Sequence, residues 1–328
     1  MNEMEMRGCR VLITGGAGFI GSALARRLVA NDAEVTLIDS MQPNCGGNLA
    51  NLRGVVGRAV LHVADLNDAA AIVGIVRGQD YVFHLAGQSS HLDSMENPFV
   101  DLDANTRATL HLLEACRRHA PCARIVYTGT RQIYGRPQYL PVDEKHPIAP
   151  IDVNGVHKVA GEWHHRVYHT AYGMRISVLR LTNTYGPGMR VKDARQTFLG
   201  VWIRNLLLGR PIDIYGDGMQ RRDFDYVDDV VDALITSADD AAIGTTYNLG
   251  GGEVIELNDL AAMLGSMRPG GVARCVPFPA DRLAIDIGDY YADSHAIGAA
   301  LGWAPRVDLQ EGLRRTVEYY AAHLEEYL

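Results

Sequence analysis

The stretch from Arg10 to Val29, RVLITGGAGFIGSALARRLV, constrains this chain more than any other. Val11, Leu12, Ile13 and Thr14 are apolar or β-branched, the composition of a buried strand. Gly15, Gly18 and Gly21 follow at three-residue spacing, and then Ala23, Leu24 and Leu28 recur at helical spacing. Strand, glycine turn and helix in that order turn a loose glycine pattern into a dinucleotide site. Gly15 permits the tight turn, Gly18 lets the backbone approach a pyrophosphate, and Gly21 lets the helix pack on the sheet. Phe19 and Ile20 open that helix, whose free N–H groups and positive dipole end face the phosphates. The next strand, Glu34 to Ile38, ends in Asp39, 18 positions after Gly21. A carboxylate there accepts from the adenosine ribose hydroxyls and repels a 2′-phosphate, so NAD is favoured over NADP.

The rest of the first half keeps alternating. Strands are expected at Ala59–Val63, Tyr81–Leu85, Arg124–Thr128 and Ile176–Leu181, with helices over Asp103–His119 and Asp152–Tyr172. Such alternation implies an α/β protein with a doubly wound parallel sheet, and ligands at the carboxyl ends of its strands. Asp39, Asp65, Ala86 and Thr130 are therefore expected along one edge. After Leu181 the pattern becomes irregular, with Gly, Pro and Arg in NTYGPGMRVKDAR, a helix expected from Gln196 to Leu208 and a short strand at Ile212–Tyr215. The expected division is a nucleotide-binding domain over 1–182, to which 223–250 return as helix and strand, and a smaller lobe over 183–222 and 251–328.

Composition removes several function classes. A chain of 328 residues that is 47% hydrophobic and 21% charged fits a globular protein. A net charge of -8 offers no basic face to nucleic acid. No apolar run is long enough to span a bilayer, and MNEMEMRGCR lacks the apolar core of a signal peptide. The five cysteines have no metal-ligand spacing, which suggests free thiols in a reducing cytoplasm. Twelve histidines without a carboxylate cluster make no metal site.

The motifs, taken together, resemble one family. TGGAGFIGSALARRL, DL at 65, HLAG at 84, NTRATLHLLEA at 105, TGTRQIYG at 128, LRLTNTYGPG at 179, IYGDGMQRRDFDYVDD at 214 and LGW at 301 are similar to the NAD-dependent epimerase/dehydratase family. These are extended short-chain dehydrogenases acting on nucleotide sugars, and the pattern is similar to that of the UDP-glucose and UDP-glucuronate 4-epimerases. The resemblance implies a Rossmann domain with a second, substrate-binding lobe. It implies NAD as cofactor, held by Gly15, Gly18, Phe19, Ile20, Gly21, Asp39, Asp65, Leu66, Leu85, Ala86, Gly87, Asn105 and Lys158. It implies a nucleoside-diphosphate sugar as substrate, met by Gln88, Thr130, Asn183, Arg195, Tyr215, Arg222 and Arg282. It also implies a homodimer, in which helices 103–119 and 152–172 pair with their copies through Leu110, Leu113, Trp163 and Val167.

In the family, NAD takes a hydride from a sugar carbon while a tyrosine takes the hydroxyl proton, aided by a lysine four residues on and a Ser or Thr. Thr130 and Lys158 fill two of these places, but Asn154 stands where the tyrosine belongs. An amide has no ionisable proton in water and cannot replace a phenolate as base. Three readings follow. Another group takes the proton, with Lys158 the leading candidate and His157, Tyr134, Tyr185 or a water on Asn154 behind it; or the chemistry needs no strong base here; or the protein binds NAD and a sugar nucleotide without turnover. Family dehydratases carry Asp-Glu where this chain has Arg131-Gln132, and family decarboxylases carry a glutamate there. Epimerisation at C4 through a transient ketone is thus the simplest chemistry, with decarboxylation of a UDP-uronic acid the alternative.

Several residues carry blander expectations. His84 reads as a sheet histidine, and His164 and His165 as a solvated or dimer-facing helix surface. Asp225, Asp228 and Asp229 read as solvated charges at a helix start, and Met1, Met4 and Met6 as a loose terminus.

Overall fold

A computed structural model describes residues 6–43, 45–195 and 197–328. Its frame is a seven-stranded parallel sheet flanked by helices. The chain enters through β1 (Arg10–Thr14), α1 (Phe19–Ala30), β2 (Glu34–Asp39), β3 (Ala59–Val63), α2 (Ala69–Val76) and β4 (Tyr81–His84). Two short helices follow, α3 (His91–Glu96) and α4 (Pro98–Leu102), and then one π-type turn over Asp103–Arg107 leading into α5 (Ala108–His119). Next come β5 (Arg124–Thr130), α6 (Val153–Tyr172) and β6 (Arg175–Leu181).

The later chain adds β7 (Asn183–Tyr185), α7 (Phe198–Leu207), β8 (Ile212–Tyr215), β9 (Arg221–Tyr226), α8 (Val227–Thr236) and β10 (Thr246–Asn248). It ends with β11 (Val254–Glu256), α9 (Leu257–Ser266), β12 (Ala273–Val276), α10 (Ala280–Leu283), α11 (His295–Leu301) and α12 (Leu309–His323). The large sheet runs β10-β6-β5-β4-β1-β2-β3, while β11-β9-β7 and β12-β8 form two small sheets beyond it.

Side-chain alternation explains the layers. Val11 and Ile13 of β1 join the apolar cluster under α1 and α8, whereas Leu12 joins the cluster under α2 and α5. A strand buried on both faces needs apolar residues in both phases, which is why β1, β4 and β5 read as continuous runs. The order of strands reverses between β1 and β4, and a crevice opens there at their carboxyl ends. Strand β10 pairs in parallel with β6, Thr246 beside Val178, so the edge of the sheet is supplied by chain that follows β7, β8 and β9.

Five expectations need correction. Met6 is fully buried, and its carbonyl accepts from the Cys9 amide, so it is no loose end. Met1, Met4 and Gln196, the first residue of the expected 196–208 helix, lie outside the described residues. Asp225 and Asp229 are buried, not solvated: Asp225 accepts from the Thr182 hydroxyl at 3.0 Å and Asp229 from the Val307 amide at 3.1 Å. His165 is also buried, stacked on Tyr127 with ring centroids 4.1 Å apart and 3.2 Å from the His84 ring nitrogen. Leu113 is fully buried among α2 and β4–β6 residues and is therefore unavailable to a partner.

Candidate active site

A cleft of about 600 Å³ lies over the switch between β1 and β4. The glycine turn forms its floor. Gly15 takes φ +68°, and a Cβ there would come within 3.0 Å of the Ala86 amide. A Cβ on Gly21 would stand 2.2 Å from the Gly15 carbonyl oxygen, so α1 closes onto the turn only because residue 21 has no side chain. No side chain caps the first turn of α1. Its leading amides are left for an anion, as helix geometry dictates. Asp39 lines the same cleft, and its carboxylate accepts from the Ala17 amide at 3.0 Å and the Met41 amide at 2.9 Å. Burial pushes its pKa up, and these backbone donors partly offset that.

Of the residues singled out in the sequence, Gly15, Gly18, Phe19, Ile20, Gly21, Asp39, Asp65, Leu66, Leu85, Ala86, Gly87, Gln88, Thr130, Asn154, Lys158 and Asn183 all line this cleft. Asn105 sits just behind it. A Cβ on Gly87 would come within 2.6 Å of Asn105 Oδ1 and 2.7 Å of Lys158 Nζ, and that Oδ1 is buried without a partner. Arg195 stays at the outer surface in ion pairs with Asp93 (2.8 Å) and Asp193 (3.0 Å). Tyr215 and Arg282 meet each other elsewhere, the guanidinium 5.6 Å from the ring centroid. Arg222 is buried; it donates to the Gly288 carbonyl and lies 3.8 Å from Asp286. Burial first, and then the nearby Arg131, pull its pKa down to about 10.

The place of the missing tyrosine is filled by a polar network. The Asn154 amide donates to the Gln88 carbonyl at 2.8 Å and to Asp101 Oδ2 at 2.9 Å. The Asn105 amide donates to Asp101 Oδ1 at 3.0 Å, and His157 Nδ1 lies 2.7 Å from the same oxygen. Lys158 is buried, and burial lowers its pKa to about 8 although Asp101 pulls the other way. Tyr134 and Tyr185 are buried away from the cleft: the first bonds to Asn248, the second to the Leu309 carbonyl. Neither can replace the tyrosine.

Sequence reasoning missed His91, Asp152 and Asp101. His91 lines the cleft with its Nδ1 3.1 Å from Asp152 Oδ2. Asp152 also caps α6, accepting from the Gly155 amide at 2.6 Å. The helix-start signal at Asp152 was readable, but nothing in the linear spacing joins position 152 to position 91.

Geometry of this kind belongs to doubly wound, dinucleotide-binding proteins that hold a second ligand over the same crevice. The comparisons narrow the class. Residues 11–250 match the model of the NAD dependent epimerase/dehydratase family, and the chain belongs to that family. The UDP-glucose 4-epimerase of Mycolicibacterium smegmatis is 32% identical over 315 residues, covering 95% of this chain and 98% of that one. The dTDP-glucose 4,6-dehydratase of Streptomyces griseus is 32% identical over 320 residues, covering 95% of this chain and 94% of its own. The dTDP-glucose 4,6-dehydratase of Streptomyces venezuelae, solved with NAD bound, superposes with a TM-score of 0.87 at 29% identity, covering 96% of this chain and 98% of that one. NAD is accordingly the cofactor, and the cradle at Gly15–Gly21 with the carboxylate of Asp39 fits it. Among the described residues no helix is long and apolar enough to cross a membrane.

Proposed function

We propose that the chain is an NAD-dependent epimerase of a nucleoside-diphosphate sugar, acting at C4 through a transient ketone. The observation that carries this reading is the cleft wall at Thr130–Gln132. It offers a hydroxyl, a guanidinium and an amide, and no carboxylate with which to eliminate water from, or decarboxylate, a sugar. Bound NAD supplies the hydride acceptor. The chain's own residues do the rest. The first turn of α1 holds the pyrophosphate, and Asp39 takes the adenosine ribose. Thr130 accepts from the Gln132 amide at 3.3 Å, which leaves its hydroxyl proton to bond a sugar oxygen. Lys158 Nζ makes no hydrogen bond among the described residues and is free to hold the nicotinamide ribose. The lobe over 183–222 and 251–328 takes the nucleoside diphosphate. Arg131 and Arg222 repel each other, and an anion beside them relieves that repulsion. Incubation with UDP-glucose, UDP-N-acetylglucosamine, UDP-glucuronate and dTDP-glucose, followed by NMR, tests the reading. A C4 epimer supports it; a xylo-configured decarboxylation product or a 4-keto-6-deoxy sugar overturns it.

Asp39→Asn tests the cofactor site. The amide keeps an acceptor for the Ala17 amide but removes the charge that repels a 2′-phosphate, so the NAD:NADP affinity ratio is expected to narrow about tenfold. An unchanged ratio in a calorimetric titration counts against the assignment.

The chain is also proposed to form a homodimer through α6. Val156, Trp163 and Val167 follow at i, i+7 and i+11 on that helix and are 51%, 48% and 52% exposed, a stripe that a second copy can cover. A monomeric mass in light scattering at micromolar concentration contradicts this.

A further inference from the structure

Loss of the tyrosine leaves the proton of the sugar hydroxyl without its family acceptor. The amide that replaced it is not idle: its two N–H donors go to the Gln88 carbonyl at 2.8 Å and the Asp101 carboxylate at 2.9 Å. His157 leans on the same carboxylate and does not line the cleft. Beside Lys158, a histidine–carboxylate pair stands at the cleft, with the histidine lining it, and has the polarity that acid–base work needs.

That pair is His91 and Asp152. The imidazole opens α3 at the carboxyl side of β4, with 30% of its side chain exposed. Its Nδ1 stands 3.1 Å from Asp152 Oδ2, and that carboxylate is almost wholly buried. Burial raises the carboxyl's pKa, but the His91 ring, the Gly155 amide and the Gln132 amide together outweigh it and hold Asp152 below its usual range. Gln132 donates to the same Asp152 oxygen at 3.1 Å. Gln132 Nε2 also lies 3.1 Å from Nδ1, but as a donor it bonds Asp152 instead, and the ionised carboxylate accepts from the Nδ1–H, which leaves the ring Nε2 as a free acceptor. No partner of Nε2 is found among the described residues. Gln132 ties this pair to the substrate side, because its backbone amide donates to the Thr130 hydroxyl while its side chain touches both His91 and Asp152.

We propose that His91, oriented by Asp152, is the acid–base residue of this site. This rests on the epimerase reading above. With bound NAD supplying the hydride acceptor, His91 Nε2 would take the proton of the C4 hydroxyl, so that C4–H and O–H break and C4=O forms. When the hydride returns to the other face of the ketone, His91 gives the proton back to the oxygen, and neither cofactor nor histidine is consumed. Lys158 keeps its charge throughout.

The test follows the near-ultraviolet absorbance of reduced nicotinamide in a single turnover with UDP-glucose and with dTDP-glucose, in wild type, H91Q and H91A. The two variants are expected to retain bound NAD and wild-type affinity for UDP in calorimetry. Their cofactor reduction is expected to slow by about a hundred- to ten-thousandfold. Added imidazole is expected to restore part of the rate to H91A and none to H91Q, whose glutamine fills the space; loss of a mere structural support would not respond in this way. An H91Q protein that reduces its cofactor at the wild-type rate overturns the assignment while leaving the epimerase reading intact. So does an H91A protein whose lost rate imidazole does not restore. If wild type itself reduces its cofactor with neither sugar nor epimerises any nucleotide sugar, both fall together.

Discussion

Lys158→Met is expected to stop hydride transfer, with turnover down about a hundred- to a thousandfold, while Asn154→Ala keeps a measurable rate. The lysine is a buried cation lining the cleft, and Asp101 opposes the pull of burial on it. Methionine keeps its length and removes its charge. Asn154 only bridges the Gln88 carbonyl and Asp101, so its loss costs about 1–2 kcal/mol of stability and little chemistry. The pH profile carries a sign. With a pKa of about 8, the ammonium disappears as pH rises through that value, so a lysine acting as a cation gives activity that falls above pH 8. A limb that rises through the same pH, together with an inactive Lys158→Met and a normal H91Q, would make the lysine itself the base.

The same shift sets stability. The folded group titrates near 8 and the unfolded one near 10.5, so between those values the unfolded chain binds more protons. Stability of the wild type is expected to rise with pH across that window, by on the order of 3 kcal/mol, and denaturant unfolding of Lys158→Met should lack that rise.

Gly21→Ala has the second large effect expected. The new methyl would stand 2.2 Å from the Gly15 carbonyl oxygen and 3.1 Å from Gly16 Cα, both backbone atoms that cannot rotate away. Either α1 lifts from the sheet or the turn deforms, and both spoil the phosphate cradle. Overpacking of this kind costs about 1–3 kcal/mol, which in affinity is about ten- to a hundredfold. Gly74→Ala is the control: nothing lies within 4 Å of a Cβ there, and it sits within α2, where alanine is the better helix former. NAD titration of the two proteins should separate them; equal affinities would mean that the turn does not hold the cofactor.

Local rules made most of the first lobe legible. The strand at Ala59–Val63 and the helix after Asp152 are set by alternation, apolar runs and a capping carboxylate, all of which act over a few residues. The family motifs placed sixteen of the named residues on one cleft. What stayed hidden depends on partners distant in sequence. Asp225 and Asp229 resemble a solvated helix start, yet Thr182 and Val307 cover them. His165 shows no helical-face signal that separates it from half-buried His164, because its burial comes from Tyr127 and His84 on neighbouring strands. His91 and Asp152 meet only because the starts of α3 and α6 are packed together.

The last strand of the large sheet has a consequence for how such a chain can be cut and recombined. Because β10 reaches β6 only after β7, α7, β8, β9 and α8 have been laid down, a fragment ending at Leu181 exposes the whole hydrogen-bonding edge of β6, a naked template for aggregation. A fragment cut after β6 is therefore expected to aggregate. A graft that exchanges the chain after Leu181 needs two splices, one on either side of 223–250, because this stretch carries the strand that closes the edge of β6.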